Sequence, residues 1–353
     1  MSTTSTTAQL ATNSPFTSQE KTQSGQGETV KVRSSKYIIR TLYAGGVAGC
    51  VAKTVIAPLD RVKILFQSSN PQFQKYAGSW VGLFQATRQI YNDSGPKGLF
   101  QGHSATLIRI FPYAAIKFAA FEQFRHLLMP TRQHETRYKN FVAGSMAGVT
   151  SVLCTYPLEL VRVRLAFEVR KDSRVGIRSI CKQIYHESAA SHRRFLHFSI
   201  MNFYRGLTPT IMGMIPYAGV SFWTHYTLSE FCRTTLANIT INPSLIASKK
   251  DSIDQERRVP LKTWAELTIG GLSGAISQTV SYPLEVIRRR MQVYGAIDPS
   301  SFVSIQQTTR NIWTTSGLKG FFVGLSIGYL KIIPMIAVSF TVYHRMKLYM
   351  DIY

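Results

Sequence analysis

Hydrophobic residues occur along this chain in long runs that carry few charges, separated by basic polar segments. Three stretches contain no Asp, Glu, Lys or Arg: 140–158, 206–229 and 267–284. Each is close to or above the roughly 20 largely apolar residues that cross a bilayer. Three other apolar runs carry one or two bases, and a charge at that depth is costly and usually faces a water-filled cavity. The pattern therefore predicts six long membrane helices rather than a soluble helical bundle.

A charged motif recurs at the end of every second apolar run. In each copy an acid follows a proline by two positions and a base follows it by five. On a helix these two sites are three residues apart, so they face nearly the same way. Three such copies indicate an internal repeat. The copies are Pro58-Leu59-Asp60-Arg61-Val62-Lys63, Pro157-Leu158-Glu159-Leu160-Val161-Arg162 and Pro283-Leu284-Glu285-Val286-Ile287-Arg288.

The repeat extends on both sides of this motif. Two glycines precede each proline by 13 and 9 positions, a small-xxx-small spacing that lets membrane helices approach closely. Further on, an aromatic residue stands two before a glycine, and a second proline follows that glycine by ten. We expect a polar disordered tail over 1–36, repeats over 37–130, 138–240 and 261–353, and a linker over 241–260. A short surface helix should lie within 71–98. Long helices are expected at about 37–67, 103–128, 207–234, 261–291 and 325–350.

Composition narrows the kinds of partner this chain can have. Its 353 residues carry a formal net charge of +23, which favours anionic partners such as nucleic acid, acidic lipid or a polyanionic metabolite. A basic nucleic-acid-binding protein is one alternative, but no binding fold for nucleic acid is recognisable. The four cysteines lack metal-ligand spacing, and no nucleophile–base set or phosphate-binding loop is visible. We therefore expect no metal, no cofactor and no enzymatic activity.

The three proline motifs with their glycines resemble the mitochondrial carrier family over about residues 37–350. The resemblance implies an all-α membrane protein of six transmembrane helices in three two-helix repeats, with short matrix helices, arranged as a pseudo-threefold barrel. It also implies the mitochondrial inner membrane, alternating access between two gates, and membrane lipid, cardiolipin in particular, as a partner. A small anionic molecule is the expected substrate, nucleic acid is not an expected partner, and a monomer suffices.

By the same resemblance, the motif charges form a matrix gate. The expected pairs are Asp60–Arg162, Glu159–Arg288 and Glu285–Lys63, and two glutamines, Gln67 and Gln292, brace them. Partly exposed ion pairs are each worth roughly 0–1 kcal/mol, more in a shielded network. Such modest strength suits a gate that substrate binding must open.

The opposite, cytosolic gate departs from the family pattern. Its motif is intact only where Phe121-Glu122 precedes Arg125; the third repeat keeps the base Lys347 but has His344 in place of an acid. In the second repeat the acid is absent and Ser229 replaces the base. We therefore expect a weak cytosolic gate and a resting state open to the cytosol.

Four bases are candidates for binding an anionic substrate in the cavity. In the family, the residue three positions before the second proline of each repeat contacts the substrate. This chain has Arg109, Gly213 and Lys331 at these positions. Lys53 matches a phosphate-binding lysine of adenine nucleotide carriers, and Lys117 stands eight residues after Arg109. We expect these cations to have no acid partner, which leaves them available to several phosphate charges.

The flat nucleobase of the substrate is expected to lie beside these cations. Gly213-Met214 resembles the glycine-plus-aliphatic pair of adenine-nucleotide-type carriers, in which glycine leaves room for the base. Tyr217 could stack on the same base, and Ser281 could donate a hydrogen bond.

Overall similarity points to the coenzyme A carrier subgroup. The run Arg288-Arg289-Arg290 is followed by Met291-Gln292-Val293, which departs from the signature of the ADP/ATP exchangers. The expected function is exchange of coenzyme A or a related adenosine bisphosphate compound. Transport of ATP, ADP or AMP by the same fold is the open alternative.

Overall fold

A computed structural model describes residues 35–129, 136–169, 176–187, 199–240, 261–298 and 303–350. Nearly all of these residues are helical, and the described part of the chain contains no β-strand beyond an isolated bridge at Leu261. Residues 1–34 of the predicted tail over 1–36, and the linker over 241–260, lie outside the described residues. The last two tail residues, Ser35 and Lys36, instead belong to the first helix.

The helices follow one order in each third of the chain: a long helix with a proline inside, a shorter helix, and a second long helix. Their bounds are α1 Ser35–Gln67, α2 Trp80–Leu99, α3 His103–Leu128, α4 Arg137–Phe167, α5 Ile177–His186, α6 Leu207–Thr234, α7 Ala237–Thr240, α8 Thr263–Ile297, α9 Ile305–Ser316, α10 Leu325–Leu330 and α11 Ile332–Tyr349. Short 3-10 segments precede α2, α6 and α10.

The second long helix of the third repeat is the clearest departure from expectation. We predicted one helix over 325–350, but it is interrupted at Lys331, between α10 and α11. Pro334 has no N–H to donate to the carbonyl of Leu330, so the helical ladder loses a bond at this turn. Lys331 itself keeps helical dihedrals, with φ −72° and ψ −18°, so the interruption is confined to this turn. Helix α8 also continues to Ile297, six residues beyond the predicted end at Met291.

Glycines at positive φ connect the short helices to the long ones. Gly102, Gly206 and Gly324 have φ values of 85°, 82° and 82°, and they immediately precede α3, α6 and α10. A Cβ on Gly102 would lie 2.9 Å from the carbonyl oxygen of Arg162, and one on Gly206 would lie 3.1 Å from that of Arg288. Only glycine fits this combination of left-handed backbone and close approach.

The described residues form two compact units, 31–211 with 283–353, and 212–282. In the first, α1 packs against α3, α4 and α11, and α3 packs against α4. An apolar core joins α1 to α2 through Val62, Leu65 and Phe66 on one side and Leu83 and Ile90 on the other. In the second unit, Leu261, Ala265 and Ile269 pack with Leu228 and Cys232.

Three segments of the described chain are long and apolar enough to cross a membrane: His103–Leu128, Lys139–Phe167 and Leu318–Tyr349. Large hydrophobic side chains are exposed on them, as expected for a lipid-facing surface; Ile108 and Ile333 are 52% and 74% exposed.

Candidate functional site

The charges of the three proline motifs meet in one ion-pair network, which consists of Asp60, Lys63, Glu159, Arg162, Glu285 and Arg288. Lys63 Nζ lies 2.9 Å from Glu285 Oε1, and Arg162 Nη2 lies 3.0 Å from Asp60 Oδ2. Arg288 bonds to Glu159 Oε1. The structure thus brings together all three predicted pairs, each joining two different repeats. The side chains are 4–26% exposed, so water screens these pairs less than it would on a surface.

The two predicted bracing glutamines have different roles. Gln67 Nε2 donates to Glu285 Oε1 at 3.2 Å and so supports the Lys63–Glu285 pair directly. Gln292 Nε2 instead donates to the hydroxyl of Tyr156 at 3.0 Å. That hydroxyl donates to the carbonyl of Arg205 at 2.9 Å, which fixes the chain just before α6.

The expectation that the cavity cations have no acid partner is wrong for two of them. Arg109 Nη1 lies 3.0 Å from Glu159 Oε2, and Lys331 Nζ lies 2.9 Å from Asp60 Oδ1. An unpaired cation in this setting would be costly, and each base lies within reach of a network carboxylate. Two of the three residues predicted to contact substrate before the second prolines, Arg109 and Lys331, are therefore also partners of the ion-pair network.

The other two predicted cations are placed differently. Lys53 is half-buried, and its ammonium group lies 3.6 Å from the sulfur of Met335. Lys53 lines a cavity together with Asp60, Lys63, Ile64, Gln67, Arg162, Glu285, Arg289 and Lys331. Lys117 is exposed on α3 and is not among these lining residues.

The residues predicted to contact the nucleobase of the substrate belong to the compact unit over 212–282. Gly213 and Met214 are half-buried on α6, and Tyr217 is 45% exposed. The hydroxyl of Ser281 donates to the carbonyl of Ser277 in its own helix at 2.9 Å, so its proton is already engaged.

The residues predicted for the cytosolic gate have different surroundings from the charges of the proline motifs. Glu122 is exposed on α3, and neither it nor Lys347 has an ion-pair partner among the described residues. Arg125 is half-buried on the same helix as Glu122.

Sequence reasoning missed a second charged cluster behind the network. Glu187 is fully buried at the end of α5; Arg164 Nη1 lies 2.8 Å from its Oε1 and Arg205 Nη1 lies 3.4 Å from its Oε2. Arg164 also donates to the carbonyl of Gln292 on α8. Burial lowers the pKa of the Arg205 guanidinium, and Glu187 opposes that change by stabilising the charged form. The cluster therefore ties α4, α5 and α8 together.

This cluster leaves a signal in the sequence at Gly295. A Cβ at that position would collide with the guanidinium groups of Arg164 and Arg205 and with the Glu187 carboxylate. Because the helix was predicted to end at Met291, four residues before Gly295, this signal could be interpreted only with the structure.

Comparison with known proteins agrees with this architecture. The family model described as mitochondrial carrier protein matches three successive segments, 34–132, 133–236 and 259–352. Mitochondrial carrier protein LEU5 of Saccharomyces cerevisiae is 49% identical, with 89% of this chain and 91% of the relative covered. Human solute carrier family 25 member 16 is 42% identical, with 89% of each chain covered. Mitochondrial carrier protein CoAc2 of Zea mays is 37% identical, with 88% and 86% covered.

Members of this family are transporters with three helical repeats and several membrane spans in the mitochondrial inner membrane. The repeated matches span most of the chain, and the paired proline motifs lie within them. The chain belongs to the mitochondrial carrier family.

Proposed function

We propose that this carrier exchanges coenzyme A, or a related adenosine 3′,5′-bisphosphate compound, across the mitochondrial inner membrane by alternating access. The observation that carries the proposal is the concentration of bases around Asp60 and Glu159, which exceeds what those two carboxylates neutralise. A substrate with several phosphate charges suits such a site. The name of the maize relative, CoAc2, reads as a coenzyme A carrier and supports this choice over a simpler anion.

The shared carboxylates suggest how binding opens the gate. Lys331 bonds to Asp60, and Arg109 bonds to Glu159, so a substrate phosphate competes with each carboxylate for its cation. Charge-assisted bonds from Arg and Lys to phosphate are strong enough to exchange for those to carboxylate. Once a cation turns to the substrate, its carboxylate loses one of its partners and the network weakens. Gly213, Met214 and Tyr217 are proposed to contact the adenine. The donor role predicted for Ser281 is not retained, because its hydroxyl donates to the carbonyl of Ser277.

Uptake of labelled coenzyme A into liposomes tests the proposal. Lys331→Ala and Arg109→Ala should each raise KM about tenfold or more, because a charged hydrogen bond contributes about 1.5–3 kcal/mol. Arg310→Ala, which removes an exposed base on α9, is the matched control and should transport normally. Unchanged uptake by both cavity variants would remove these two residues from the site.

Competition separates the two candidate substrates. Unlabelled coenzyme A should inhibit uptake at lower concentration than ATP, ADP or AMP does. If one of those nucleotides competes more strongly, the carrier belongs to the adenine nucleotide type instead.

A further inference from the structure

Arg289 occupies a position where the other two repeats have an aliphatic residue. Six residues after the motif proline, the first repeat has Ile64 and the second has Val163. These two side chains are buried together with Ala166 and Val293 in an apolar cluster. The packing pattern of the repeat therefore does not require a base at this position, and Arg289 needs a different explanation.

The contacts of Arg289 do not supply a structural reason for its charge. Its Nη1 lies 3.2 Å from Glu159 Oε1 and donates to Gln292 Oε1 at 2.9 Å. Glu159 already pairs with Arg288 and Arg109, so its charge is balanced without Arg289. The Nε of Arg289 is buried and has no hydrogen-bond partner among the described residues.

Arg289 lines the cavity beside the ion-pair network, and this cavity is unbalanced in charge. Its lining contains five bases, Lys53, Lys63, Arg162, Arg289 and Lys331, but two acids, Asp60 and Glu285. Three positive charges are therefore in excess. Clustered like charges in a partly buried site repel one another, and a bound polyanion removes that cost.

We propose that Arg289 is a specificity-determining residue that binds a phosphoryl group of the substrate in this cavity. It makes the carrier prefer an adenosine compound with two separate phosphate groups over one that lacks the second. Arginine suits this task because its planar guanidinium presents two parallel donors to phosphate oxygens. The inference rests on the proposed function, since it assigns the extra phosphate of the proposed substrate class to a residue.

A binding measurement with inorganic pyrophosphate tests the anion site without reference to coenzyme A. Purified full-length protein in detergent should gain thermal stability from pyrophosphate, and Arg289→Ile, which installs the residue of the first repeat, should lose most of that gain. Arg310→Ile removes an exposed base and should keep it. If Arg289→Ile does not fold, Arg289→Gln serves instead. An equal gain in wild type and variant would overturn the anion site.

Transport then tests specificity. Wild type should take up coenzyme A with a KM at least tenfold below that for 3′-dephospho-coenzyme A, and Arg289→Ile should bring the two KM values within about threefold. Arg289→Lys should be intermediate, because it keeps the charge but not the paired donors. An equal loss for both substrates would make Arg289 a brace of Glu159 and overturn the proposal. If wild type transports neither compound but binds pyrophosphate through Arg289, the proposed substrate fails while the anion site stands.

Discussion

At the scale of single residues, the charges of the proline motifs are shared rather than simply paired. Asp60 bonds to Arg162 and Lys331, and Glu159 bonds to three arginines, whereas Glu285 has one lysine partner among the described residues. Because a partly buried charge without a partner is costly, each base takes a nearby carboxylate in this structure. Arg109 and Lys331, which are proposed to contact the substrate, are therefore also partners of the gate carboxylates.

The Lys63–Glu285 pair offers a direct test of the gate. Lys63→Glu should reduce transport at least tenfold, since two carboxylates would face each other where a pair 2.9 Å long now stands. Combining it with Glu285→Lys restores the attraction and should recover a large part of the rate. Uptake by the two single variants and the double variant in liposomes measures this. A folded double variant no faster than either single variant would contradict the pairing.

Gly206 tests the close approach between the start of α6 and α8. Gly206→Ala should lower stability by about 1–2 kcal/mol for the left-handed backbone alone, and the contacts 3.1 Å from its Cβ should add to this. The melting temperature of the purified protein is the measurement. Gly219→Ala, inside α6 with nothing within 4 Å of the new Cβ, is the matched control and should be neutral or stabilising.

At the scale of elements, most helix bounds could be read from the sequence because charge-free runs, prolines and glycines mark them. Helices α3 and α6 begin and end at the predicted residues. The interruption at Lys331 was not predicted, although Pro334 lies three residues later. Pro112 and Pro216 occupy the equivalent positions inside unbroken helices, so a proline there does not by itself indicate an interruption.

The site was less predictable than the helices. The three motif pairs follow from repeat symmetry, but the bonds of Arg109 to Glu159 and of Lys331 to Asp60 depend on how far a long side chain reaches between helices. The Arg164–Glu187–Arg205 cluster joins residues up to 41 positions apart without repeated spacing. Such contacts arise from three-dimensional packing, which periodicity along the chain does not encode.

That buried cluster should hold α5 in place. Glu187→Gln leaves two buried guanidinium groups without their carboxylate and should destabilise the protein by about 3–5 kcal/mol. Amide hydrogen exchange within Ile177–His186 should rise more than in α3. Glu230→Gln, which alters an ion pair with a carboxylate side chain 38% exposed, should change stability by less than about 1 kcal/mol. Similar effects of the two substitutions on stability would show that the buried cluster does not hold α5 against α4 and α8.

At the scale of the whole molecule, the two gates of the proposed cycle have unequal numbers of charges. The matrix-side motifs supply three acids and three motif bases, while only the first repeat has both the acid and the base of the cytosolic motif. We expect the unliganded carrier to rest open to the cytosol, because the stronger gate stays closed. In this structure the three predicted matrix-side pairs are formed.

Restoring a missing acid should shift that balance. His344→Asp completes the cytosolic motif of the third repeat, with Lys347 three residues later, and should raise the matrix-open fraction of unliganded protein. In protein without its four native cysteines, Lys53→Cys places one thiol in the cavity and leaves in place the ion-pair partners named above for Asp60, Glu159 and Glu285. The rate at which an impermeant reagent labels this thiol from the cytosolic side measures the shift, and the rate should fall. His344→Asn is the uncharged control. A rate that stays the same in His344→Asp would contradict the weak cytosolic gate.

The uneven sharing of carboxylates has a kinetic consequence. Glu285, which joins the third repeat to the first, depends on one lysine and one glutamine, whereas Glu159 is held by three guanidinium groups. The ion pairs that join the repeats should then break one after another rather than all at once, beginning with the pair between α1 and α8. Transport would pass through a short-lived asymmetric intermediate in which one inter-repeat ion pair is broken and the others remain. A strictly threefold-symmetric mechanism has no such intermediate.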